Sequence, residues 1–185
     1  MAGQVILPSG TRLRAQEIGL LAMLGVSEVQ VHRKVRLALL STGDELLPLD
    51  APLVPGKIHD TNTYTLAALA QAAGVEVVHL GIANDTEEDI RCRLDQAVAG
   101  KVDLVLSSAG VSVGAFDYVK AVIESSGTLD FWRVNMRPGK PLAFGAYKGI
   151  PLIGLPGNPV SAYVGCSVFV LPVVRKLIGL PALER

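Results

Sequence analysis

From residue 35 onward, the apolar and polar positions alternate between two periods. "VRLALL" (35–40) is an unbroken apolar run, as expected of a central strand buried on both faces. "TNTYTLAALAQAAG" (61–74) has helical spacing, opens near polar caps and stops at Gly74. "VEVVHLGI" (75–82) is β-rich, and "TEEDIRCRLDQAVAG" (86–100) is amphipathic, with Ile90, Leu94, Ala97 and Val98 on one side. "VDLVLSS" (102–108) is a second buried strand and "DYVKAVIESSG" (117–127) a further helix. "LDFWRVNMR" (129–137), "PLAFGAY" (141–147) and "PLIGLPG" (151–157) read as short strands. Asn158 and Pro159 then open a long final helix, with Asn as N-cap and Pro in the first turn, where its missing N–H costs nothing. Strands alternating with helices of this length imply βαβ units. The expected fold is therefore α/β, a mostly parallel sheet with helices on both faces.

The first 34 residues break this rhythm. "VILPSGTRLR" suggests a hairpin or arm, "AQEIGLLAMLG" (15–25) a short helix, and "VSEVQVHRKVR" a strand leading into the main unit. The expected division is a linking segment at 1–34, belonging to something not wholly present, an α/β domain at 35–180 and a short tail at 181–185. A chain of 185 residues is long enough to bury a sizeable core.

Composition narrows the function classes. Half the chain is hydrophobic but only 5% aromatic, which suits buried strands under small-residue helices. The 17 basic and 17 acidic residues cancel, so no global field gathers nucleic acid or anionic membrane, and any anion site must be local. Cys92 and Cys166 lie far apart with no CxxC or Cys/His spacing, which argues against zinc and against a disulfide framework. There is no signal peptide pattern. The most apolar tract, "YVGCSVFVLPVV", is interrupted by Ser167 and Pro172 and falls short of the roughly 20 residues a membrane span needs. The expectation is a soluble, cytoplasmic protein with no membrane or nucleic-acid partner.

In open parallel sheets, ligands bind beyond the carboxyl ends of the strands. Three Gly/Ser/Thr-rich loops follow strands here. They are "STGDEL", with Ser41, Thr42, Gly43 and Asp44; "SSAGVSVGAFD", with Ser107, Ser108, Gly110, Ser112 and Gly114; and "LPGNPVSA", with Pro156, Gly157, Asn158 and Ser161. Together they would offer backbone N–H groups and hydroxyls to an anion. Neither GxxxxGK[ST] nor GxGxxG is present. Acids beside such a cradle, Asp44 and Glu45 in the first loop and Asp117 closing the second, are unfavourable unless a cation such as Mg²⁺ sits between them. Asp117 also suits a helix cap, Asp44 a solvated turn, and Asp85 an N-terminal capping arrangement with Glu88. "FWRVNMRPGKP" (131–141), read as a strand, puts Arg133, Asn135 and Arg137 on one face, after which Pro138 and Gly139 turn the chain to offer Lys140. Those three cations suit an oxyanion or phosphate. The histidines, His32, His59 and His79, support no nucleophilic pairing by spacing.

"STGDEL", "HDTN", "SSAGVSVGAFDY", "RPGKP" and "GLPGNPVSA", in this order, resemble the MoeA/gephyrin E-domain family of molybdenum-inserting enzymes, from about residue 5 to 180. The resemblance implies the central molybdopterin-binding α/β domain, of the MoaB/MogA-like type. It implies a Mg²⁺-dependent reaction in which adenylylated molybdopterin and molybdate yield molybdenum on the dithiolene, with release of AMP. By resemblance, Glu45, Asp85 and Asp117 match acidic active-site positions, with Glu45 and Asp117 holding the metal. Arg133 and Arg137 stand where the family usually has lysines, and Lys140 matches its last lysine. Ala109 replaces a glycine of "SGGVSVG". Family members are multidomain homodimers, so this chain reads as a fragment without the C-terminal β-domain, poorly active alone. A molybdopterin adenylyltransferase is the implied pathway partner. It is also the alternative identity, and a gephyrin-like scaffold is another.

Overall fold

The structure, a computed structural model, describes residues 4–109 and 115–180, with backbone alone at 109, 115–117, 132 and 133. After helix α1 (Ala15–Met23), the chain forms β1 (Arg36–Thr42), the short strands β2 (Leu46–Leu47) and β3 (Ile58–His59), α2 (Asn62–Ala72), β4 (Glu76–Ala83), α3 (Glu87–Ala99), β5 (Leu104–Ala109) and α4 (Ala115–Ser126). Then come β6 (Gly127–Arg133), β7 (Pro141–Tyr147), β8 (Ile150–Leu155), α5 (Pro159–Gly165) and α6 (Leu171–Leu177), the last two joined by a π-helical turn at Cys166–Val170. Six strands form one sheet in the order β4-β1-β5-β8-β7-β6. The first four are parallel; β7 runs antiparallel to β8, and β6 to β7. The α/β expectation, mostly parallel, is met.

The continuous apolar strand runs follow from burial on both faces. In β1, Leu37 and Leu39 pack with Leu66, Ala70, Cys166, Val170 and Val174 on the side covered by α2 and the final helical stretch. Ala38 and Leu40 pack with Ile90, Leu94, Val122 and Ile123 on the side covered by α3 and α4. Each strand residue thus meets a helix whichever way its side chain points. Between β7 and β8, Lys148 (φ 45°) and Gly149 (φ 83°) make the two-residue, positive-φ turn that matches strand twist.

Three expectations are corrected. No strand precedes Arg36 among the described residues. Val29 and Val31 stay exposed, at 45% and 68%, because the alternating stretch before β1 has no partner strand to complete a ladder. The strand expected over 129–137 ends at Arg133, where the Val134 N–H turns back to the Lys140 carbonyl at 3.0 Å, so Asn135 and Arg137 lie in a turn. The final stretch, Pro159–Leu177, is 19 residues long and apolar enough to cross a bilayer by length and composition. Ala162, Cys166, Val170 and Val174 nevertheless pack into the core beneath the sheet. The helix passes Pro172 through its π-turn, and Ser167 Oγ donates to the Tyr163 carbonyl at 2.9 Å.

The β7–β8 hairpin is tied to α3 at one carboxylate. The hydroxyl of buried Tyr147 donates to Asp95 Oδ1 at 2.8 Å, and Lys148 Nζ reaches the same oxygen at 2.6 Å. These two donors hold the Asp95 carboxyl below the ordinary carboxylate range, Lys148 contributing more than Tyr147. Lys148 is 46% exposed, so water screens its share of the stability. Tyr147→Phe is expected to destabilise the fold by about 1–2 kcal/mol and Lys148→Ala by less. Urea unfolding of both variants checks the order.

Candidate functional site

Parallel pairing brings the strand ends level. Thr42 of β1 is paired with Ala83 of β4 and with Ala109 of β5, and Ser108 is paired with Leu155 of β8. The loops after β1, β4, β5 and β8 therefore leave the sheet at one end. The antiparallel strands deliver the cationic segment to the same end, because Arg133 pairs with Pro141 and Ala143 with Gly154. A Cβ on Gly139 (φ 101°) would stand 2.9 Å from Met136 Cε and 3.7 Å from the Ser161 carbonyl, so the "RPGKP" turn lies against the start of α5. Arg137, Pro138 and Lys140 are exposed there, while Gly139 is buried.

An acidic group stands on the β1 and β4 side. Asp85 N–H donates to Asp44 Oδ1 at 3.1 Å, and Asp44 N–H to Asp85 Oδ2 at 3.4 Å, which binds the two loops to each other. A Cβ on Gly43 (φ 143°) would meet Glu45 Oε2 at 2.6 Å, so the Glu45 carboxyl folds back over a position only glycine leaves open. Burial pushes the Asp85 carboxyl above its ordinary range, and the charges of Asp44 and Glu45 push it further; the Asp44 N–H opposes both. Asp85 Oδ1 is buried and has no hydrogen-bond partner. The expected capping role of Asp85 is taken by its neighbour: Thr86 Oγ1 accepts from Asp89 N–H at 3.3 Å at the start of α3. Lys57 Nζ donates to the Asp44 carbonyl, placing an unforeseen cation beside the acids. Among the described residues no three His, Cys, Asp or Glu side chains form a finished metal site.

The floor of the site consists of small polar side chains at the strand ends. Ser41, Thr42 and Ser107 are fully buried and Ser108 nearly so. Ser41 Oγ is 2.8 Å from Thr63 Oγ1, which donates to Asp60 Oδ2 at 2.6 Å. Thr42 Oγ1 and Ser107 Oγ, on the α3–α4 side, are buried with no partner. Asn158 Oδ1 caps α5 by accepting from Ser161 N–H at 3.1 Å, as the sequence predicts. Pro156 is buried and Gly157 half-buried at the same end.

Gly110, Ser112 and Gly114 lie outside the described residues, as do the side chains of Asp117 and Arg133. Of the described candidates, Ser41, Thr42, Ser107 and Ser108 line the strand ends, Asp44, Glu45 and Asp85 gather on one side, and Arg137 to Lys140 stand near Ser161 on the other. Sequence reasoning missed Asp60, Asn62, Thr63 and Lys57 as parts of this end. The "HDTN" stretch was the signal for Asp60 and Asn62, with Thr63 directly after it; nothing in spacing marks Lys57. A cleft of about 1140 Å³ lies elsewhere, lined by Leu7–Leu13, Lys34 and Gly74 at the opposite end of β1.

Comparison with known proteins places the chain among sequence and structural relatives. The chain is 42% identical over 177 residues to a molybdopterin molybdenumtransferase of Haemophilus influenzae, covering 96% of this chain and 44% of that protein. It is 45% identical over 183 residues to the Nostoc protein of the same name, covering 97% and 42%. The chain thus spans under half the length of these relatives. A solved molybdopterin biosynthesis MoeA protein from Pyrococcus horikoshii superposes with a TM-score of 0.81 at 34% identity, over 92% of this chain and 42% of that one. A family model described as "Probable molybdopterin binding domain" matches residues 38–176, from within β1 to within α6. The chain belongs to the molybdopterin-binding domain family of molybdenum cofactor biosynthesis.

Proposed function

We propose that this chain is the pterin-binding core of a molybdopterin molybdenumtransferase, which inserts molybdate into adenylylated molybdopterin and releases AMP. One observation carries the reading: glycine- and serine-bearing strand ends, an acidic group and a cationic turn meet at one end of the sheet. Backbone N–H groups and small hydroxyls suit a phosphate, and Arg137 and Lys140 suit the oxygens of phosphate or molybdate. Relatives named molybdenumtransferases favour this reading over an adenylate-forming one. A separate adenylyltransferase would then supply the adenylylated substrate.

The acidic side fits a hard divalent cation. Asp85 Oδ1 is buried without a donor, and Asp44 and Glu45 add their charges against it. Oxygen donors of this kind suit Mg²⁺. Glu45 and Asp85 would hold the ion, Asp44 would keep Asp85 oriented, and Asp117 is the remaining candidate ligand. When bound, Mg²⁺ would offset the negative charge of the adenylate phosphate. On the opposite side, Arg137 and Lys140 orient the anionic ends of the substrates and hold them against the strand ends.

Two outcomes test the reading. Mg²⁺ is expected to tighten binding of adenylylated molybdopterin to the wild-type chain but not to Glu45→Ala, and Arg137→Ala should cost about 1–3 kcal/mol of affinity. Calorimetry with and without Mg²⁺ checks both, and wild-type behaviour in both variants would remove the proposed site. The second outcome concerns pH. Folding raises the Asp85 pKa, so the cost of its ionised form is present above the folded pKa and disappears below the unfolded value of about 3.9. Asp85→Asn should therefore unfold at a higher temperature than wild type at neutral pH, with the gap closing as the pH falls. A pH-independent gap in thermal melts would contradict the electrostatic account.

A further inference from the structure

The first residue of α2 ties two of the ligand-facing loops together. Asn62 is only 8% exposed. Its Nδ2 donates to Ser108 Oγ at the end of β5 and to the Gly157 carbonyl after β8, both at 2.8 Å. A backbone carbonyl only accepts, so the Gly157 contact fixes which end of the amide carries the nitrogen. Nδ2 has two protons, and the second goes to Ser108. Ser108 Oγ is therefore the acceptor in that pair, and its own hydroxyl proton is not used by Asn62. Asn62 Oδ1 is buried and receives no donor, so no competing bond pulls the amide the other way. The residues beside it restrain the neighbouring loop: Asp60 Oδ1 accepts from Thr63 N–H at 3.1 Å, and Thr63 Oγ1 reaches Ser41.

We infer that Asn62 is a positioning residue that sets the polarity of Ser108. By donating to Ser108 Oγ, it occupies one of the two lone pairs and leaves the hydroxyl proton free to be given to a ligand oxygen that accepts a hydrogen bond. The ligand class that this proton serves is an oxyanion or carbonyl. The residue type follows from the geometry. Aspartate has the same shape but no donor; it would draw the Ser108 proton inward and set a carboxylate against the Gly157 carbonyl. Alanine would leave both loops untied. The inference rests on the molybdopterin reading for the identity of the ligand but not for the clamp itself.

The test has two arms on the whole chain. In the first, ¹H–¹⁵N spectra follow the Asn62 side-chain amide. Both protons are expected to be protected from exchange with water, with a shift in one of them in Ser108→Ala. Exchange as fast as that of exposed amides, or no response to Ser108→Ala, would overturn the clamp. In the second, adenylylated molybdopterin is titrated into wild type, Asn62→Asp, Ser108→Ala and the double variant, with thermal melts as the control for folding. Each single change is expected to weaken binding about tenfold, the scale of one lost charge-assisted bond, and the double variant no more than the weaker single. Wild-type affinity in Asn62→Asp, or losses that multiply in the double variant, would overturn action through Ser108 while leaving the molybdopterin reading intact. If wild type does not bind the pterin, that reading fails, and the amide spectra alone decide the clamp.

Discussion

The parallel register of β1, β5 and β8 is the constraint on which the rest depends. Parallel neighbours can only be joined by crossover connections, so every strand in that part of the sheet is entered from one end and left at the other. Paired residues at Thr42, Ala109 and Leu155 put the three exits within a few residues of one another along the sheet direction. Without that alignment, "STGDEL", "SSAGVSVG" and "LPGNPVSA" would be three unrelated turns. The antiparallel pair β6 and β7 adds the cationic turn by reversing direction twice, which returns the chain to the end where the helical crossovers begin.

The acids at this end are kept apart from Arg137 and Lys140, and the cation beside them, Lys57, bonds a backbone carbonyl. Asp44, Glu45 and Asp85 gather beside β1 and β4, and Arg137 and Lys140 lie in the turn between β6 and β7, next to α5. Had the two groups paired directly, each would have neutralised the other and left little for a ligand. Their separation across the intervening strand ends leaves Asp85 with a desolvation cost, seen in its raised pKa and its unpartnered Oδ1. Among the described residues elsewhere, several carboxylates have a cationic partner. Asp103 is held low by Arg33 first, and by the Arg36 N–H and guanidinium, in a network that pins the start of β1 to the start of β5. The contrast separates a structural carboxylate from one left for another partner.

The buried polar residues at the strand ends serve the same arrangement. Ser41, Thr42, Ser107 and Ser108 replace the leucines and valines that fill earlier positions of β1 and β5. These small residues leave room above the sheet, and on the α2 side their hydroxyls are held by the helix start at Asp60–Thr63. A larger apolar side chain at these points would improve the core and close the site. This accounts for strands that are apolar in their first half and hydroxylated in their second.

The order of strands and helices was legible from periodicity because each central strand is covered on both faces and each helix on one. These burial patterns leave periods in the sequence whatever the neighbouring elements are. The caps at Gly74 and Asn158 were legible for the same reason, being dictated by local backbone chemistry. The candidate loops could be named from their glycines, serines and threonines, and their family from five motifs in order. What periodicity could not give was partnership. It marked "VSEVQVHRKVR" as a strand although no ladder partner for the part before Arg36 exists among the described residues, carried β6 on to Arg137 past the turn that ends it, and gave no sign that Lys57 meets Asp44 or that Asn62 joins Ser108 to Gly157. Those contacts link residues 13, 46 and 95 positions apart. Local sequence sets which way a backbone turns and which faces are apolar; only the packed sheet decides which distant side chains come within hydrogen-bonding reach.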